Sequence, residues 1–161
     1  MSNIRERVYI EAPYSQAAGA LERRLGLEPG QPRGTCTLTL IVPVAQGREL
    51  ARSVTVLTER TGGAAAYRSA YSISWDAGRT DRGVPTPGFA GSLTLGAGED
   101  YGECALQIEG VYEPPGGVPG KIFDEIVGRR IAHATLGALL DGVGRELARA
   151  HEAVEAAKRT P

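Results

Sequence analysis

The 161-residue sequence predicts an α+β fold, an antiparallel β-sheet with helices on one side. Three observations predict it. Six segments alternate apolar and polar side chains with period two, the mark of strands with one buried face. The last five follow one another through mostly short connections, which makes neighbours antiparallel in a meander. A long stretch with apolar residues at helical spacing comes after them, and its stripe needs a sheet face to cover it.

The first strand is Arg7 to Ala12, with Val8 and Ile10 on one face. Pro13 ends it, and Ser15 is placed to cap a helix that runs to about Leu25. Ala17, Ala18, Leu21 and Leu25 recur at helical spacing there, and the Gly- and Pro-dense segment after Leu25 breaks the helix. In the next strand Cys36, Leu38, Leu40, Val42 and Val44 oppose Thr35, Thr37 and Thr39. Gln46-Gly47-Arg48 reads as a turn. Leu50 to Arg60 forms a strand with Val54, Val56 and Thr58 on one face. Thr61-Gly62-Gly63 reads as the next turn. Tyr67, Ser69, Tyr71, Ile73 and Trp75 then alternate along a fourth strand. A longer loop, Asp76 to Gly88, carries Pro85 and Pro87. Phe89, Gly91, Leu93 and Leu95 define a fifth strand, Gly96 to Asp100 a hairpin, and Cys104, Leu106, Ile108 and Tyr112 the sixth strand.

The final element is a helix from about Pro119 to Ala156, more than about 50 Å long. Ile122, Ile126, Leu136, Leu140, Val143, Leu147 and Val154 form its core stripe. Phe123, Val127, Ile131, Ala134 and Ala138 form a second apolar stripe on the front half. Burial between the sheet and the N-terminal helix, a dimer contact, or a bend near Gly128 each account for two stripes. Gly128, Gly137, Gly142 and Gly144 lie inside this helix, at about 1 kcal/mol each relative to Ala. They suggest close approach of a backbone or ligand, or a helix that flexes.

The bulk numbers set limits. Hydrophobic content is 42%, charged content 23% and net charge −1, with Lys and Arg scattered. One domain spanning residues 1–161 is expected. Charge offers no support for a nucleic-acid or anionic-membrane surface. No stretch approaches the roughly 20 apolar residues of a membrane span, and the first residues lack the apolar run of a signal peptide. A cytoplasmic protein is expected. Cys36 and Cys104 stand outside any metal-ligand spacing and read as reduced thiols; a disulfide requires their strands to be neighbours. No cofactor or metal motif is present: the Gly-rich segments are turns without a lysine-bearing helix start, and no nucleophile elbow occurs.

Several segments resemble a known superfamily. Val8-Tyr9-Ile10-Glu11-Ala12-Pro13 is similar to the opening strand and turn of START-like (SRPBCC) proteins, which include polyketide cyclases and birch-pollen-type allergens. Ile73-Ser74-Trp75-Asp76-Ala77, the run Leu106 to Gly116 with its Gly-x-Tyr-x-Pro-Pro core, Gly120 with Asp124, Arg130-Ile131-Ala132 and Ala134-Thr135 resemble a branch of small bacterial proteins in it. The resemblance spans nearly the whole chain. It implies the helix-grip fold, a curved sheet wrapped around the C-terminal helix, with a cavity between them. It implies no catalytic residue.

Within such a fold the large alternating side chains Tyr67, Tyr71, Trp75, Phe89 and Tyr112 are candidate ligand-binding residues, or else packed core or side chains pointing to solvent. Glu125, Arg129 and His133 align at i, i+4 and i+8 on one helix face. By angular position Arg129 shares the stripe of Leu136 and Leu140, where a charge needs a partner or water. Either the three form a polar patch at the cavity, Arg129 holding an acidic head group and His133 moving a proton, or they are an ordinary i, i+4 ion pair at a cavity mouth or on a solvated face. His151 reads as a solvated helix residue. The expected function is non-catalytic binding of a small apolar or amphipathic molecule, such as a lipid, polyketide or isoprenoid. The alternative is a polyketide cyclase or dehydratase using Glu125 and His133. An interaction module, with the Phe123, Val127 and Ile131 stripe meeting a partner or a second copy in a homodimer, is a third expectation.

Overall fold

The computed structural model describes residues 2–43, 45–65, 67–79, 85–114 and 125–160. Strand β1 (Ser2–Ile10) leads into helix α1 (Tyr14–Arg24). Then come β2 (Arg33–Pro43), β3 (Glu49–Ala65), β4 (Arg68–Trp75), the short pair β5 (Gly78–Arg79) and β6 (Pro85–Thr86), β7 (Gly88–Ala97) and β8 (Cys104–Glu113). Helix α2 (Glu125–Arg159) closes the order.

The main sheet has six strands in the order β1-β8-β7-β4-β3-β2, with every pairing antiparallel. Strands β1 and β2 are its opposite edges, yet both pack against α2. A sheet whose two edges reach one helix is curled into a half-barrel around it. The strand faces follow the period-two pattern. Leu38, Leu40 and Val42, then Val54 and Val56, then Ile73, Leu93, Leu95, Leu106 and Ile108 all turn inward and are buried. From α2 they meet Ala132, Leu136, Leu139, Leu140, Val143 and Leu147. Helix α1 adds Ala17, Ala20 and Leu21, with Leu25 and Leu27 just beyond its end.

Four expectations require correction. Ser15 does not cap α1: the cap position is Pro13, whose extended backbone begins the helix without a side-chain hydrogen bond. Gly62-Gly63 is not a turn. Strand β3 runs through it with a register irregularity between Thr61 and Ala65, and the hairpin closes between Ala65 and Arg68. Tyr67 consequently sits in the turn with φ 63° instead of in the strand. Glycines there mark the bulge, a use that sequence pattern does not separate from a turn. The Asp76–Gly88 loop holds the β5–β6 pair. The expected start of the last helix, Pro119 to Asp124, lies outside the described residues, as does Val44.

The interior glycines of α2 divide by face. A Cβ on Gly144 would stand 3.5 Å from Ile10 and 3.6 Å from Val8 of β1, and one on Gly137 3.9 Å from the Glu6 carboxylate. These two bring the helix close to the edge strand, whereas Gly142 faces open space. The second apolar stripe is largely uncovered. Val127 and Ala134 are exposed, and Ile131 packs partly against the core. Phe123 lies outside the described residues.

Candidate functional site

Three of the predicted side chains form one row across the concave face. Trp75 of β4 pairs in register with Phe89 of β7, which pairs with Tyr112 of β8. The Trp75 and Phe89 rings stack at 5.0 Å between centroids and 27° between planes. The Trp75 indole donates to the Pro87 carbonyl at 3.0 Å, fixing the ring. Beside the row, Gly91 and Gly110 face each other and let the strands approach, and the tip of Phe89 lies over both. All three aromatics are buried, Tyr112 to 1% exposure.

The Tyr112 hydroxyl is a polar atom in this apolar setting. It makes no hydrogen bond among the described residues. Burial raises its pKa, and the nearby Thr135 hydroxyl of α2 partly offsets that. The Thr135 proton, however, goes to the Ile131 carbonyl at 2.7 Å.

Tyr71 belongs to a different cluster. Its hydroxyl donates to Glu22 of α1 at 3.1 Å. Burial, first of all, pushes its pKa up to about 12. Arg60 of β3 clamps the same carboxylate, Nη2 to Oε2 at 3.0 Å and Nε to Oε1 at 3.3 Å. It also donates to the carbonyls of Glu28 and Gln31. The Arg60 guanidinium holds the Glu22 pKa below its ordinary value. Tyr14 and Ser69 share a hydrogen bond nearby, and the Tyr14 ring meets Tyr67 edge-on at 6.2 Å. This network spans residues 29 to 55 positions apart, and no spacing in the sequence announces it. It ties α1 and the loop after it to the sheet.

Of the remaining predicted residues, Tyr67, Arg129 and His133 fall on the surface. Tyr67 is 67% exposed at its hairpin turn. Arg129 is exposed, as the solvated alternative expects: it shares the phase of Leu136 and Leu140, but phase gives the direction of a side chain, not whether anything lies under it. Val127, Arg129 and Arg130 are all exposed, and among the described side chains of α2 Ala132 is the first that is fully buried. His133 is 48% exposed, and its Nδ1 meets the Glu6 carboxylate of β1. Glu6 stands between Ile4 and Val8 on the inner face of an edge strand, so the pair staples α2 to that edge. Glu125 opens α2, and its side chain lies outside the described residues. His151 is likewise engaged, with Gln16 of α1.

Three clefts lie elsewhere. One of about 570 Å³ is on the outer face of β2, β3 and β4, beside exposed Leu57 with Ser72 and Ser74. One of about 270 Å³ lies between β1 and α2 at Tyr9 and Arg145. One of about 430 Å³ flanks Arg60 and the Pro29–Pro32 loop. Among the described residues no group of three metal-ligating side chains is found. No helix among them is long and apolar enough to cross a membrane. Cys36 and Cys104 are free thiols on β2 and β8, with β3, β4 and β7 between them.

Solved structures share this architecture. A STAR-related lipid transfer protein fragment from Xanthomonas axonopodis superposes with TM-score 0.57 at 13% identity, covering 90% of this chain and 85% of its own. The helix-grip fold of START-like proteins is therefore the fold of this chain. A conserved protein from Geobacillus kaustophilus gives TM-score 0.55 at 13% identity, covering 93% and 97%. A protein from Thermus thermophilus gives 0.51 at 15%, covering 92% and 99%. At such identities the START-like likeness is one of fold. No protein-family model matches the chain, and no curated protein matches it in sequence.

Proposed function

We propose that this START-like chain binds a small apolar or amphipathic molecule between the concave face of its sheet and the front of α2. The observation that carries the reading is the Trp75–Phe89–Tyr112 row, three aromatic rings in register on three adjacent strands. Aromatic surface with few polar groups suits a lipid-, polyketide- or isoprenoid-like molecule. The row is closely covered and the clefts described lie outside it. Binding is thus coupled to opening of the sheet–helix contact, and the ligand selects the opened form through its higher affinity for it. Acid–base catalysis by His133 gains no support from its position, since the ring is half exposed and engaged by Glu6.

Native mass spectrometry of freshly purified protein tests the reading, together with titration of Trp75 fluorescence by fatty acids, polyketides and isoprenoids. The chain holds one tryptophan, so the signal reports this row. A co-purified molecule or a saturable fluorescence change is expected. A bare protein whose emission ignores all three classes refutes the proposal.

A further inference from the structure

We infer that the molecule held against the Trp75–Phe89–Tyr112 row carries a neutral oxygen acceptor, a ketone or similar carbonyl, that takes the proton of the Tyr112 hydroxyl. This rests on the ligand-binding reading above and narrows it to a chemical class.

The first observation is the hydroxyl itself. Tyr112 is 1% exposed on the inner face, and its oxygen has no hydrogen-bond partner among the described residues. Buried hydroxyls in folded proteins are nearly always satisfied, and an exception calls for a reason. A phenylalanine fills the same space without the polar atom. The second is the neighbouring hydroxyl, Thr135, fully buried and committed as a donor to the Ile131 carbonyl of its own helix. Its oxygen keeps acceptor capacity but stands outside hydrogen-bond geometry with the Tyr112 hydroxyl, so the Tyr112 proton stays available. The third concerns charge. Arg60 is occupied by Glu22 and by two carbonyls, and Arg129 is exposed at the front of α2. An ionised carboxylate brought to the row would lose its hydration without gaining a counter-ion among the described residues. A neutral carbonyl loses far less and gains one hydrogen bond. The acidic head group expected from Arg129 is therefore replaced by a neutral one at Tyr112.

Three probes of nearly one shape separate these terms: fluorene, 9-fluorenone and fluorene-9-carboxylate. Each is titrated calorimetrically into the full chain and into Tyr112→Phe at neutral pH. The wild type is expected to bind fluorenone about tenfold more tightly than fluorene, equivalent to about 1.4 kcal/mol, with the carboxylate weakest. Tyr112→Phe is expected to bind fluorene unchanged and to lose the preference for the ketone. Equal binding of fluorene and fluorenone by the wild type overturns the inference while leaving the ligand site standing. So does a ketone preference that survives in Tyr112→Phe, or a carboxylate that binds most tightly. Failure of all three probes overturns both readings. The melting temperature of Tyr112→Phe supplies a ligand-free control. It is expected to equal or exceed that of wild type, because an unpaired buried hydroxyl is removed. A clear drop reveals a partner already holding the hydroxyl and overturns the inference.

Discussion

Replacing Gly91 with alanine measures how closely β7 and β8 approach beneath the aromatic row. A Cβ built on Gly91 stands 2.2 Å from the Glu109 carbonyl oxygen, 2.7 Å from Gly110 Cα and 2.8 Å from Phe89 Cζ. Carbon contacts prefer about 3.5–4.0 Å, so the backbone contacts fall short by roughly 1 Å. The Phe89 tip can swing aside; the opposing strand can only be pushed away, at the expense of ladder hydrogen bonds around the Gly91–Gly110 pair. Overpacking of this kind costs about 1–3 kcal/mol, and the backbone contact puts Gly91→Ala at the upper end. The entropy gained on replacing glycine returns less than about 1 kcal/mol. A net loss of about 2–3 kcal/mol lowers the melting temperature by roughly 5–10 °C in a chain of this size. Gly96→Ala in the same strand is the control, because a Cβ there meets nothing within 4 Å; it is expected to be neutral or slightly stabilising. Gly110→Ala should match Gly91→Ala, since its Cβ would lie 2.3 Å from the Ala90 oxygen. The double variant should cost less than the sum, because one opening serves both. Urea and thermal denaturation read all four. A Gly91→Ala protein as stable as wild type, or a Gly96→Ala protein equally weakened, refutes the steric reasoning.

Arg60→Gln is expected to cost about 1 kcal/mol at neutral pH, discounted for the partial exposure of its clamp. Because Arg60 holds the Glu22 pKa below its usual value, that contribution is present above the ordinary glutamate pKa of about 4.3. It is lost as pH falls through the lowered value, so wild-type and variant stabilities should converge in acid denaturation; a gap that persists there refutes the clamp. Leu136→Ala, at a fully buried position of α2, should lose about 2–5 kcal/mol in urea unfolding, and a loss below about 1 kcal/mol would show the helix not seated on the sheet. Burial pushes the Cys104 thiol up to about 11, so a thiol reagent at about pH 8 should label it only after unfolding. Mild oxidation should yield no intramolecular disulfide with Cys36, because three strands stand between the two; a disulfide-linked monomer on a mass map would contradict the strand order.

Periodicity along the chain decided the elements and their faces. Period-two alternation identified all six main strands, because a half-buried sheet tolerates apolar side chains on one side only, and Leu38, Leu106 and their neighbours stand where that rule puts them. The stripe from Leu136 to Leu147 identified the face that α2 turns to the core. Trp75, Phe89 and Tyr112 were also legible as inward residues, each in phase with the apolar positions of its own strand. Their union into one row was left to the tertiary structure, because it depends on strand order and register, and pairings such as Phe89 with Tyr112 join residues far apart in the chain. The same holds for the Glu22–Arg60–Tyr71 clamp and for Glu6 with His133, which local periodicity cannot foresee. Arg129 shows the converse. Its helical phase was legible and its surroundings were left open, since phase gives the direction of a side chain and only the extent of the opposing layer decides what it meets.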